Sequence, residues 1–221
     1  MEANESGGYM KQEDTKQKIL EKALELFSQF GYDSVSARDI AKAVGIKAPS
    51  LYSHFSGKQA IFDAIVEATE EKYEKYTDKI AVHIQSAGQD VPLFTHITEE
   101  RLKEKIHKIF DYSLHDEAIS RFRRMMKMEQ FRSPRLSELY SQRFIERIVK
   151  YHAEIFRSLA ESGEIISEEP ETLAMMYAAP IITLIGICDR EPNRELECLE
   201  KLDAHVSLFF RTFNCSKSGK N

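Results

Sequence analysis

The chain has 221 residues, 42% of them hydrophobic and 30% charged, with a formal net charge of −5. That balance excludes a disordered chain, and the length allows one sizeable core or two modest ones. Cys188, Cys198 and Cys215, an odd set with no CxxC spacing, argue against a disulfide framework and against a zinc site, so they read as buried or idle thiols.

Six prolines and nine glycines are few for an all-β chain, and the abundance of Ala, Glu, Leu, Ile and Lys points to helices. No run approaches the roughly 20 apolar residues of a membrane span. The opening "MEANESGGYMKQEDTKQ" has no apolar signal-peptide core, so no membrane partner and a cytoplasmic location are expected.

Ile19, Ala23, Leu26 and Phe30, widened by Leu20, Leu24 and Phe27, predict a first helix over 15–30 that stops at Gly31. Ser36 suits an N-cap for a short second helix, 37–43, with Ile40, Ala41 and Val44 inward and Gly45 at its end. The chain restarts at Lys47 or Ala48, with Pro49 in the first turn where a missing N–H costs nothing, and this third helix runs to about His54. Ser56 is expected to cap a longer fourth helix, whose stripe of Ile61, Ile65 and Ala68 continues toward Ile80.

"SAGQDVPLF" (86–94) combines Gly, Asp and Pro and reads as a connection. Thr98, ahead of Glu99 and Glu100, predicts a helix start, with Leu102, Ile106, Ile109 and Phe110 as its stripe. "RFRRMMKMEQF" (121–131) reads as helical, its Arg121, Arg123, Arg124 and Lys127 forming a solvated face. Ser133 and Pro134 open a long helix carrying Leu136, Tyr140, Phe144, Ile148, Tyr151, Ile155 and Leu159 before Gly163. Two final helices, 168–189 and 194–213, are split by "REPN", and the tail "SKSGKN" is expected to fray. Within the first of them Pro180 cannot donate to Met176, so the helix is expected to kink or loosen there, either as a kink that opens a cavity or shapes a subunit contact or equally as a tolerated bend.

Charge divides the chain unevenly. From Ser34 to Lys58 the basic residues Arg38, Lys42, Lys47 and Lys58 face a single acid, Asp39, whereas the remainder is acidic. A small basic module on a larger acidic body follows, with boundaries at 12–60 and 61–221. Within the module, two short helices joined by a turn at Gly45 form a helix-turn-helix pattern, whose second helix enters the major groove. Ala41 is small where the helices approach, and Leu51 with Phe55 hold the reading helix to the first helix. In that geometry Lys47, Ala48, Pro49 and Ser50 reach base edges. Tyr52 and His54 meet phosphates, and Lys58 offers charge to the backbone.

The set Phe27, Gly31, Ser36, Ile40, Ala41 and Gly45, followed by "LYSHFSGKQAIF", resembles the N-terminal domain of the TetR family of bacterial transcriptional regulators. The resemblance implies an all-α fold of about nine helices, a helix-turn-helix domain followed by a dimerising, effector-binding domain. Ser36, Arg38, Lys47, Ser50, Tyr52, His54 and Lys58 then sit at the family's DNA-contact positions, and the partners are an operator duplex, a second copy and a small molecule. It also implies an intersubunit four-helix bundle from the last two helices, for which Leu173, Tyr177, Ile181, Leu184, Cys188, Leu199, Leu202, Val206 and Phe209 are the candidate residues. Without the resemblance the same stripe reads equally as the core of a monomer.

Phe110, Met125, Met128, Phe131, Tyr140, Phe144, Met176 and Tyr177 place flexible thioethers beside aromatic rings, which suits either an adaptable pocket for a hydrophobic or aromatic ligand or a Met-containing core. No Gly-rich phosphate loop, HExxH or G-x-S-x-G is present, and His83, His96, His107 and His115 lack the i, i+4 pairing of a helical metal site. Neither catalysis nor a cofactor is expected. The expectation is a homodimeric repressor released from a palindromic operator by an effector. A regulator of the same fold governed by a protein partner or acting as an activator is the alternative, and an enzyme with a DNA-targeting module lacks any catalytic constellation.

Overall fold

The computed structural model describes residues 5–132 and 134–215, and its regular elements are helices. In chain order they are α1 (Glu5–Phe30), α2 (Ala37–Val44), α3 (Ala48–Tyr52), α4 (Lys58–Lys79), α5 (Ala87–Phe94), α6 (Glu99–His115), α7 (Glu117–Glu129), α8 (Pro134–Ser141), α9 (Arg147–Glu161), α10 (Pro170–Arg190) and α11 (Glu195–Phe213). A π-helical turn, Gln142–Glu146, joins α8 to α9, and a 3₁₀ turn, Pro192–Arg194, precedes α11. Ser133 and the tail 216–221 lie outside the described residues.

The helices form two compact units. One comprises Met1–Lys72 with Glu117–Ser137, the other Tyr73–Asp116 with Glu138–Asn221. The division therefore differs from the boundary at 60 and 61: the first unit extends along α4 and takes in α7, which packs on α1.

In the first unit, Ile19, Ala23 and Phe27 of α1, Ile40 of α2, Leu51 of α3 and Ile61 of α4 are fully or almost fully enclosed, joined by Met125 and Met126 of α7. Gly31 ends α1 at φ 81°, a left-handed conformation, and a Cβ there would stand 3.0 Å from Oε1 of Glu129. The angle demands glycine, and a Cβ would also press on the Glu129 carboxylate. Ser56 stands one residue outside the α4 cap position, because the first α4 bond runs from Ile61 N–H to the carbonyl of Gly57.

In the second unit, α9 packs on α5 and α10, and α10 on α6 and α11. The segment expected to be a connection is α5, Pro92 and Gly88 included. The reason is Asp90, wholly enclosed. Its carboxylate accepts the His83 backbone N–H at 2.6 Å and the Tyr151 hydroxyl at 2.5 Å, with His83 Nδ1 2.5 Å away. Three partners of a buried carboxylate outweigh poor local propensity. The hydrogen bond to Asp90 also raises the pKa of His83.

The long helix expected from Pro134 is interrupted by the π turn, which shifts the side-chain register. Tyr151, Ile155 and Leu159 beyond it are buried, whereas Tyr140, Phe144 and Ile148 are only half-buried. Among the described residues α10 is long and apolar enough to span a membrane by length and composition, which corrects the expectation that no run comes close. It is packed against α6, α9 and α11. Arg123 is buried in α7, contrary to a solvated face there, because that helix is packed on α1. Three of the histidines that lack metal-site pairing stand beside acids: His96 by Glu164 at 2.7 Å, His107 by Asp203 at 2.7 Å and His115 by Glu195 at 2.9 Å. Cys188 and Cys198 are buried thiols, as expected.

Candidate nucleic-acid interface

Ser36 starts α2 by a capping box. Its Oγ accepts the Asp39 N–H at 3.2 Å, while Oδ2 of Asp39 accepts the Ser36 N–H at 2.9 Å and the Ser36 hydroxyl at 2.6 Å. These bonds hold the Asp39 carboxyl below its ordinary pKa. Gly45 closes the helix at φ 80°, its N–H directed at the carbonyls of Ala41 and Lys42. The turn then delivers Lys47, in extended conformation, as the residue that caps α3.

One face of α3 is fixed. Leu51 is fully enclosed and Phe55 nearly so, with the Leu51 carbonyl accepting from the N–H of His54 and of Phe55 at 3.0 Å. The opposite face is open: Lys47, Pro49, Ser50, Tyr52 and Ser53 are exposed, and Ala48 and His54 are half-buried. Ser53 was not singled out from sequence. Its hydroxyl donates to the Ser50 carbonyl at 2.7 Å, binding the two exposed serines into one turn. Arg38 and Lys42, one helical turn apart on α2, are exposed as well, and neither Arg38 nor Lys47 has a carboxylate partner among the described residues. A helix locked on one side and bearing hydroxyls and uncompensated cations on the other is equipped to grip a polyanion and touch base edges.

Lys58 stands differently from the expectation. Its ammonium donates to the Tyr32 carbonyl at 2.8 Å and lies 4.2 Å from the centre of the Tyr32 ring. That ring is in turn 5.2 Å from those of Phe27 and Phe62. On the other side of the same residue, the Tyr32 N–H donates to Glu129 Oε1 at 3.0 Å. Tyr32 is thus gripped at both backbone groups and its ring, and α7 helps position the turn that leads into α2. The sequence carried no local signal for this, since Glu129 sits among Lys127, Met128 and Gln130 like any helical acid.

The expected ligand residues divide between the two units. Met125 is enclosed in the first unit, where Met128 and Phe131 are exposed, Phe131 to 88%. In the second unit, Phe110 and Tyr177 are buried, Tyr140 and Phe144 lie 5.2 Å apart and half-buried, and Met176 is exposed. Met125, with Met126, serves the packing of α7 in the first unit. Of the expected dimer residues, Leu173, Tyr177, Leu184, Cys188, Leu202, Val206 and Phe209 are buried in the chain's own core, and Ile181 and Leu199 are half-buried. The exposed apolar positions of α10 and α11 are instead Met175, Met176, Leu196 and Leu208.

Residues 19–65 match the family described as bacterial regulatory proteins, tetR family. Over 212 residues, 90% of this chain and 95% of the relative, the sequence is 28% identical to the "Probable HTH-type transcriptional regulator YttP" of Bacillus subtilis. A second similarity, 48% identity over 52 residues, covers 24% of this chain and 28% of IcaR, the negative transcriptional regulator of the biofilm operon icaADBC in Staphylococcus aureus. Among solved structures, a SmeT–triclosan complex superposes with a TM-score of 0.66 at 18% identity, covering 92% of this chain and 93% of SmeT. NalD of Pseudomonas aeruginosa gives 0.62 at 18% identity over 92% of this chain and 98% of its own.

Proposed function

We propose, from the premise that the chain belongs to the TetR family of bacterial transcriptional regulators, that it is a homodimeric cytoplasmic repressor whose hold on a palindromic operator is released by a small apolar or aromatic effector. The observation that carries the reading is the open face of α3: Lys47, Pro49, Ser50 and Tyr52 exposed on a helix whose other face is anchored by Leu51 and Phe55. In a two-fold dimer two such helices would enter successive major grooves about 34–36 Å apart. Repression is supported by the relatives: IcaR is named a negative regulator, and NalD is described as the secondary repressor of an efflux pump. An apolar effector is supported by the SmeT–triclosan complex and by FrrA, described as a flavonoid-responsive regulator.

The dimer contact assigned by this reading is the exposed side of α10 and α11, centred on Met176, Leu196 and Leu208, because the opposite side fills the core. Lys47 and Tyr52 are assigned to the DNA backbone and the edges beside it, Arg38 to flanking phosphates, and Ser36 to structure, since its hydroxyl is engaged with Asp39. Lys58 acts on DNA through Tyr32.

The experiment is fluorescence anisotropy on the duplex that flanks the gene. Lys47→Ala should weaken binding roughly tenfold and make the salt dependence shallower by about one counterion, and Tyr52→Phe should weaken it several-fold. Wild-type affinity and salt slope in both variants would remove the assignment of α3 as the reading helix.

A further inference from the structure

One cluster in the second unit contains polar atoms that its own packing leaves unused. His152 of α9 and Tyr177 of α10 face each other with ring centres 4.9 Å apart, walled by Phe156 at 5.7 Å and Phe209 at 5.0 Å from the Tyr177 ring. His152 Nδ1 lies 2.8 Å from the Ile148 carbonyl, which can only accept, so the proton is on Nδ1 and Nε2 presents a lone pair. Neither that Nε2 nor the Tyr177 hydroxyl has a hydrogen-bonding partner among the described residues. Neither atom is sealed from the surface, so the acceptor and the donor can both be reached by a group from outside the chain.

Two further features bear on the space between them. His152 keeps accessible surface, being only half-buried by area, yet burial lowers its pKa to about 4. Burial is also the one cause that raises the Tyr177 pKa, with no charged side chain among the described residues acting on its hydroxyl. The Tyr177 backbone is held from the far side. Pro180, three residues on, cannot continue the α10 hydrogen-bond ladder to Met176, and His205 Nε2 donates to the adjacent Tyr177 carbonyl at 2.9 Å.

We propose that His152 Nε2 and the Tyr177 hydroxyl form the polar end of an aromatic-walled site for a neutral ring compound bearing a hydroxyl group, a phenol. The ligand hydroxyl donates to His152 Nε2 and accepts from Tyr177, completing both. A carboxylate would set its lone pairs against that of the imidazole. A cation would find no carboxylate to neutralise it. This inference rests on the effector reading above and names the chemical class that the effector belongs to.

The test uses the full chain and three probes of one shape: 2-naphthol, 2-methoxynaphthalene and 2-naphthoate, titrated calorimetrically. The naphthol should bind wild type about tenfold more tightly than its methyl ether, the worth of one well-placed hydrogen bond. His152→Phe should erase that preference and leave the ether's affinity as in wild type, whereas Tyr177→Phe, which removes a donor that both oxygens accept from, should weaken naphthol and ether alike; the operator affinity of the free protein stays as in wild type in both, which shows that the variants fold. Equal binding of naphthol and ether by wild type overturns the hydroxyl-reading pair and leaves an apolar effector site standing. Tightest binding by the naphthoate overturns the requirement for a neutral ligand. No binding by any of the three overturns this site, while the apolar effector stands or falls separately with a stabiliser found by thermal shift among apolar compounds of other shapes.

Discussion

Replacing Glu129 by Ala tests whether α7 is part of the DNA-binding unit's scaffold. Glu129 is 1% exposed, accepts the Tyr32 N–H at 3.0 Å through Oε1, and lies 3.5 Å from Arg132 Nε through Oε2. A hydrogen bond to a charged acceptor contributes about 1.5–3 kcal/mol, and stranding a buried amide adds to the loss, so the substitution should cost about 3 kcal/mol. For a chain of this length each kcal/mol lowers Tm by roughly 2–4 °C, which gives a drop of about 6–12 °C. Glu129→Gln keeps an acceptor of the same shape and should cost about 1 kcal/mol. Thermal melting followed by circular dichroism reads the global effect, and hydrogen exchange of the peptide containing Tyr32 reads the local one. Because the Tyr32 carbonyl is also the anchor of Lys58, operator affinity should fall along with protection of that amide. A melting point within about 1 °C of wild type, with the Tyr32 amide still protected, would refute the argument that this carboxylate clamps the turn.

Two further outcomes are expected. His152 stays neutral in the folded chain down to about pH 4 but is protonated below 6.5 when unfolded, so the unfolded state binds the extra proton in that window and stability falls as pH drops through it. The difference in unfolding free energy between wild type and His152→Phe, from denaturant titrations, should therefore shrink by about 2–3 kcal/mol between neutral pH and about pH 4, and a pH-independent difference would refute the buried neutral imidazole. His83 and His115 act in the opposite sense, since acidic partners raise their pKa values and their contribution is full below 6.5 and lost as pH rises through the folded values. Taking the difference between the two proteins cancels them. Finally, Leu208→Glu, on the 61% exposed side of α11, should raise the dimer dissociation constant at least about tenfold in sedimentation while leaving the helical content unchanged, and an unaltered dimer would move the contact elsewhere.

What could be seen in the sequence was whatever local chemistry dictates. Gly31, Ser36 and Gly45 punctuate the first helices because αL conformation and N-capping each demand a residue type, so the helix-turn-helix emerged with its inward Leu51 and outward Tyr52 correctly sided. Features that depend on distant partners were hidden. Glu129 looks like any helical surface acid until α7 is laid on α1, and Asp90 looks like a turn former until Tyr151, 61 positions later, donates to it. The apolar stripes of α10 and α11 were found, but periodicity reports only that a face is buried, not whether the chain itself or a second copy covers it. Here the chain's own core covers that stripe, and the exposed side is carried by Met176, Leu196 and Leu208. His152 escaped notice because a histidine's role is set by which ring nitrogen is occupied, and that is decided by the Ile148 carbonyl.

The enclosed carboxylate of Asp90 also bears on the order in which the polypeptide assembles. A stretch containing Gly88 and Pro92 gains little from coiling by itself, so α5 acquires its shape only once the tyrosine of α9 is already in place to receive it. During synthesis at the ribosome, that piece must wait until Tyr151 has emerged from the exit tunnel. A nascent chain halted before that residue would leave the Asp90 carboxylate without the tyrosine donor that encloses it in the finished protein.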